Sequence, residues 1–298
     1  MTVGVPTPVA PPRLSLAPRP GDAVRSALVG AFEGLVQHAG ELRRGSVDPE
    51  EVHDARVAAR QLRSHAVSLA SVLDVDAIAP ELDELSRLAR ALGAVRDLDV
   101  LLEGVRVEAG GVPDGLHPAA ALIVAGFGDD QAAALDVVRG RLESPAHERL
   151  MVSLGAIAAA PPLRRPERDP DPAVVMTSVW KALARRARAA GSTPTDEALH
   201  ALRIRTKRAR YAAEALAPFV GSRATRFARK AARLQDVLGR HQDAVVAIDM
   251  LSEVAGGSPE LAFASGWIAA GRARVRSETR AEWPKAWRSL ARKERRFW

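Results

Sequence analysis

Two short stretches of this chain recur in the same order and at nearly the same spacing. His53-Asp-Ala-Arg56-Val-Ala-Ala-Arg60-Gln-Leu-Arg63 aligns with His200-Ala-Leu-Arg203-Ile-Arg-Thr-Lys207-Arg-Ala-Arg210 at an offset of 147. Leu88-Ala-Arg-Ala-Leu92-Gly93-Ala-Val-Arg96-Asp97 aligns with Leu234-Gln-Asp-Val-Leu238-Gly239-Arg-His-Gln-Asp243 at an offset of 146. Motifs that return in register are the mark of an internal repeat, so the fold must be buildable from one unit used twice. A length of 298 residues suits two such units.

The unit reads as helical. Aromatic residues are only 4% of the chain, and its body is Ala, Leu, Val, Arg and Glu, mostly good helix formers whose small members allow close packing. The predicted fold class is therefore all-α. Val24, Leu28, Phe32, Leu35, Val36 and Leu42 form one stripe of a helix over 22–44, closed by Gly45. Asp48-Pro49-Glu50-Glu51 then supplies an N-cap, a first-turn proline and acidic residues at the positive end of the dipole, predicting a second helix over 49–73. Leu82, Leu85, Leu88, Leu92 and Val95 predict a third from Pro80 to Glu103, and further helical pieces follow at 119–142 and 146–158.

The Pro- and Arg-rich stretch 160–172 cannot continue a helix and reads as a solvated linker. After it, helices are expected near 173–190, 195–217, 222–254 and 259–281, with a separate final one from Trp283-Pro284 onward. The expected organisation is a disordered Pro-rich leader over 1–21, a first four-helix repeat over 22–159, the linker, and a second repeat over 173–298.

On a helix, positions i, i+3, i+7 and i+10 fall at roughly 0°, −60°, −20° and −80°, so His53, Arg56, Arg60 and Arg63 share one narrow face. His200, Arg203, Lys207 and Arg210 share another. Like charges at this spacing destabilise a helix by a few tenths of a kcal/mol per pair, so helix formation does not ask for such rows. Asp97 and Asp243 are too few to neutralise them, which points to an anionic ligand. A further stripe of Arg226, Lys230 and Arg233, with Arg229 and Arg240, lies on one side of the helix over 222–254, and Lys181, Arg185 and Arg188 align on the helix before. Each row's histidine can donate to a phosphate or bond a neighbouring backbone or aspartate; the sequence leaves both readings open. Trp180, Trp267, Trp283, Trp287 and Phe297 read as core or helix-packing residues, and Arg205, Arg208 and the C-terminal Arg/Lys cluster as solvated charge. His241, beside Asp243, could touch the basic groove.

Charge supports an anionic partner. The chain carries a net +7, but residues 1–150 hold 15 basic and 22 acidic side chains while residues 151–298 hold 28 and 14. The excess therefore sits in the second half. Arginine outnumbers lysine 38 to 5, and guanidinium forks suit phosphate oxygens. Zero cysteines exclude a disulfide scaffold, a cysteine nucleophile and Cys-ligated metal. There is no glycine-rich phosphate loop, metal-ligand pattern or transmembrane stretch. A soluble cytoplasmic protein without cofactor or metal is expected, with no membrane partner.

With these two His-Arg rows, Arg96-Asp97 after Leu92-Gly93, and Gly239-Arg-His-Gln-Asp243 after Leu238, the chain resembles the CHAD family, the conserved histidine α-helical domain, over about residues 22–298. The resemblance implies two pseudo-symmetric four-helix bundles around a basic channel that binds inorganic polyphosphate, with localisation to polyphosphate granules. It carries ligand binding to His53, Arg56, Arg60, Arg63, His200, Arg203, Lys207 and Arg210, while Arg226, Lys230 and Arg233 are added from periodicity. Many relatives carry a fused triphosphate tunnel domain of the CYTH type. Its Glu-x-Glu-x-Lys strand signature is absent from this sequence, so no catalysis transfers from it. The expected function is non-enzymatic polyphosphate binding. Nucleic-acid binding is the alternative, with nucleic acid otherwise a weaker competitor. A phosphohydrolase using His53 or His200 is the third reading, and it lacks a carboxylate cluster for Mg²⁺.

Overall fold

A computed structural model describes residues 21–70, 72–164, 171–292 and 298. The Pro-rich leader up to residue 20, linker residues 165–170 and the C-terminal cluster with Phe297 lie outside the described residues. Among the described residues the chain is all-α, with helices α1 (Asp22–Arg43), α2 (Pro49–Ser68), α3 (Ala79–Ala109), α4 (His117–Leu142), α5 (Pro145–Ala159), α6 (Pro172–Ala190), α7 (Asp196–Val220), α8 (Ser222–Val254) and α9 (Pro259–Ala291), and one short 3₁₀ turn before α4.

Local chemistry sets most helix ends. Asp48 caps α2 by accepting from the Glu50 backbone N–H, with Pro49 in the first turn, and Thr195 caps α7 by accepting from Ala198. Gly45, at φ 96, takes the left-handed position that closes α1. Helix α2 is shorter than its 49–73 expectation, because Val72 and Leu73 turn back into the core. Helix α3 runs past Glu103 to Ala109, where Leu101, Leu102 and Val105 bury a further apolar surface.

The largest departure is at the C-terminal end. Helix α9 runs straight through Pro284, with no separate final helix. Trp283 and Leu290, at 4% and 0% exposure, anchor the chain on both sides of the proline, and that burial offsets the lost backbone hydrogen bond.

Neighbours follow the same order in both halves: α1 packs on α2, α2 on α3 and α3 on α4, while α6 packs on α7, α7 on α8 and α8 on α9. Helix α5 belongs to the first half alone, against α1, α3 and α4. Instead of two separate cores there are three apolar clusters. One is built on α1, α2, α5 and the adjoining parts of α3 and α4, a second on α6, α7 and the adjoining parts of α8 and α9. The third unites Leu102 and Val105 of α3, Ile123 and Phe127 of α4, Leu251 of α8 and Ile268 of α9. It joins the two halves into one body, and helices α2 and α7 also meet directly.

The start of the linker is not free in solvent. The Asp74 N–H donates to the Pro162 carbonyl and Arg164 N–H to Val72, both at 2.7 Å, and the Arg164 guanidinium pairs with Asp76 at 2.7 Å. Trp180 stacks on Trp287 at 5.6 Å between ring centroids, as expected of core aromatics, but Trp267 is 49% exposed.

Candidate functional site

The contact between α2 and α7 brings the two repeated basic rows together. Arg56 and Arg60 of α2 and Arg203 and Lys207 of α7 all lie within electrostatic reach of one another, with Asp97 of α3, Asp243 of α8 and Tyr211 of α7 beside them. The Arg56 guanidinium donates to Asp97 at 3.4 Å, a long contact to a carboxylate that is itself 62% exposed. Four cations thus face two carboxylates.

Packing explains why the second repeated motif travels with the first. A methyl group on Gly93 of α3 would stand 3.5 Å from Arg56 Nε, and one on Gly239 of α8 would stand 3.8 Å from Arg203 Nε. Each arginine therefore lies across the bare backbone of the helix that carries the Leu-Gly motif. The Nε atoms of Arg56 and Arg203 are buried without a hydrogen-bond partner among the described residues. Burial weighs against the charge of both guanidiniums, with Asp97 and Asp243 the first opposing influences.

Lys207 is the most constrained member. It is 8% exposed, and burial, followed by Arg203, Arg60 and Arg56, brings its ammonium down to about 6. Burial pushes the Asp243 carboxyl up, opposed first by Arg203. Burial thus disfavours the charged forms of both Lys207 and Asp243, and an anionic oxygen beside Lys207 would favour its ammonium.

The other expected residues separate. Burial, then the charge of Arg96, lowers the His53 imidazole, and its Nδ1 is buried without a hydrogen-bond partner among the described residues. His200 is exposed, and its Nδ1 lies 2.7 Å from the Gln242 side-chain oxygen. Arg210 leaves the cluster for its own helix, donating to Glu214 at 2.7 Å. Its guanidinium also lies 5.7 Å from the centre of the Tyr211 ring. Arg63 lies beyond the cluster on a separate cavity wall. Arg226 and Arg233 of the α8 stripe are exposed and Lys230 is half-buried; Arg226 contacts Ser222, and Arg240 is taken by Glu282 at 2.6 Å.

His241 does not touch the groove. It is buried, with Nε2 2.9 Å from Asp196 and Nδ1 against Thr279 and the Arg276 carbonyl. Arg276 and Arg280 share the same Asp196 carboxylate, so this network ties the start of α7 to α9. Arg205 and Arg208 line the cavity that Arg63 reaches, Arg208 as an exposed side chain. Tyr211 is not among the residues the sequence motifs point to. Tyr211 is the chain's one tyrosine, next to the end of the second row, and that singularity was the available signal. No group of three or more His, Asp or Glu side chains suited to a metal occurs among the described residues. No helix is long and apolar enough to cross a membrane, again among the described residues.

Comparison with known proteins places this arrangement. The CHAD domain family matches residues 26–252. Two Mycobacterium tuberculosis proteins, both called uncharacterized, are MT2285 of strain CDC 1551 / Oshkosh and Rv2226 of strain ATCC 25618 / H37Rv. Each is 29% identical over 254 residues, covering 79% of this chain and 46% of the relative. The chain thus spans about half the length of these curated relatives. The fold is shared with PptA from Streptomyces chartreusis, at a TM-score of 0.74 and 20% identity over 91% of this chain and 99% of that one. It is also shared with the CHAD domain from the plant Ricinus communis, at 0.72 and 28% identity over 96% and 98%. The family match spans both His-Arg rows and both glycines on which their arginines lie, and the chain belongs to the CHAD domain family.

Proposed function

We propose that this chain binds inorganic polyphosphate along the α2–α7 cluster, as a binding module rather than an enzyme, and that this binding brings it to polyphosphate granules. The observation that carries the reading is the convergence of Arg56, Arg60, Arg203 and Lys207 on one site with two carboxylates. Neither helix stability nor ion pairing within the chain calls for that surplus. The CHAD family resemblance supplies the ligand class.

Each part has a chemical role. Arg56 and Arg203 present guanidinium edges that can fork onto phosphate oxygens, with their orientation held by the helix backbone beneath them. Lys207 gains its full charge when a phosphate approaches, so binding takes up a proton. Arg60 joins the two rows. His53, His200 and Arg210, with the stripe of Arg226, Lys230 and Arg233, would meet further phosphates of a long chain. Release of counterions from a linear polyanion makes affinity rise with chain length and fall steeply with salt.

Titrating polyphosphates of graded length at two salt concentrations, with duplex DNA as competitor, tests the reading. The expected result is tighter binding of longer chains, a steep salt slope and weak displacement by DNA. Equal binding of short and long chains would sink the cluster model, and displacement by DNA on equal terms would make the chain a nucleic-acid binder. Metal-dependent phosphate release abolished by His200→Ala would make it a hydrolase. In cells, a tagged Arg203→Ala/Lys207→Ala chain should leave granules that the parent chain decorates.

A further inference from the structure

A cavity of about 480 Å³ opens between α2, α6 and α7. Arg63 enters it from α2, and Arg205 and Arg208 from α7, a different face of that helix from Arg203 and Lys207. An apolar strip runs beside them: Val67 of α2 and Val174 of α6 line the cavity while remaining 53% and 60% exposed, with Val175, Val179 and Ala182 completing the strip. Ser64, Ser68 and Ser178 add polar groups beside them.

The charge here is uncompensated. Arg63, Arg205 and Arg208 make no ion pair or hydrogen bond among the described residues. Burial and then the neighbouring Arg208, Arg186 and Arg185 weigh against the charge of Arg205, while Arg63 lines the cavity from α2. Small-molecule sites combine this range of volume with an apolar lining and a few convergent polar groups. Bare polyphosphate has nothing to set against valines, whereas an anion carrying a hydrocarbon body would use both walls.

We infer that the α2–α6–α7 cavity is a second binding site, for an amphipathic phosphate monoester whose head pairs with Arg63, Arg205 and Arg208 and whose short apolar body lies against Val67 and Val174. This site is separate from the α2–α7 cluster and does not depend on what that cluster binds.

Calorimetric titration of the full chain with hexyl phosphate, butyl phosphate and inorganic phosphate tests it. One hexyl phosphate per chain should bind at least tenfold tighter than inorganic phosphate, with about a fourfold gain for each added methylene. Arg205→Ala/Arg208→Ala should weaken hexyl phosphate tenfold or more without changing polyphosphate affinity or the melting temperature. Val174→Asp should abolish the gain per methylene. Equal affinity for hexyl and inorganic phosphate would overturn the proposal, as would unchanged hexyl phosphate binding in the double variant. If polyphosphate displaced hexyl phosphate and the double variant lost both ligands together, the cavity would belong to the polyphosphate path; the separate site would fall while the reading of the cluster stood.

Discussion

On α2, Arg56 reaches a carboxylate, Asp97, that remains 62% exposed, and the next position of the row is Arg60. On α7, Arg203 faces Asp243, whose carboxyl burial pushes up, and the next position is Lys207, sunk to 8% exposure. The two carboxylates thus sit in different dielectric settings, one open and one closed, while Arg56 and Arg203 are both largely buried. An ion pair to the open carboxylate is weakened by water and screened by salt; one to the closed carboxylate is costly to break and strong once made. The lysine fits the closed setting because an ammonium can shed its proton when unpaired, which a guanidinium cannot.

Comparing paired substitutions in the two rows would break this contrast most directly. Arg203→Ala/Lys207→Ala should lower polyphosphate affinity by more than a hundredfold, since two charge-assisted contacts of roughly 1.5–3 kcal/mol each are lost. Helicity should stay near the parent's, and Arg56→Ala/Arg60→Ala should cost less in the same titration. A large loss of helicity would instead make these residues structural ion-pair partners. The control runs the other way: Leu234→Ala, a fully buried position, should cost roughly 2–5 kcal/mol of stability in denaturant unfolding while sparing the cluster's charges.

The two carboxylates come next. Asp243→Ala strands Arg203 and Lys207 in a desolvated site and should destabilise the ligand-free chain by about 3 kcal/mol, while Asp97→Ala, an exposed partner, should cost below about 1 kcal/mol. Equal losses in chemical denaturation would erase the distinction between the rows.

A pH series sharpens it further. In the folded chain Lys207 keeps its proton only below about pH 6, whereas unfolded it keeps it up to the ordinary 10.5. Between those values unfolding takes up a proton, so stability rises with pH across the window and this contribution is lost as pH falls through about 6. The slope it adds is at most about 1.4 kcal/mol per pH unit. Lys207→Met should remove that slope from melts recorded between pH 6 and 9, and a slope unchanged by the substitution would show that Lys207 is charged in the folded state.

The smallest contrast concerns the histidines. His200, exposed and bonded to Gln242, should lose only a few tenths of a kcal/mol on substitution by Ala, against about 1 kcal/mol for the half-buried His53.

Much of this was readable before the structure. The helix starts at Asp48 and Thr195 follow from capping chemistry, which acts over three residues and needs no distant partner. The rows themselves follow from the helical period. What was not readable required a neighbour. Pro284 looks like a stop until Trp283 and Leu290 are seen buried on either side of it. His241 looks like a groove residue until Asp196 and α9 close around it. Arg63 keeps its place in the row while losing its place in the cluster, and only the fold puts it in one cavity with Arg205 and Arg208.

The sequence by itself determined the helices, the repetition of a His-Arg row beside a Leu-Gly motif, and the surplus of positive charge in the second half, because periodicity, capping and charge are properties of neighbouring residues along the chain. Tertiary structure alone decided that Arg56 and Arg203 lie on Gly93 and Gly239, that Lys207 is desolvated, and that three cores make one body. Those depend on which surfaces α2 and α7 exclude from water when they meet, and desolvation is set by everything around a group at once.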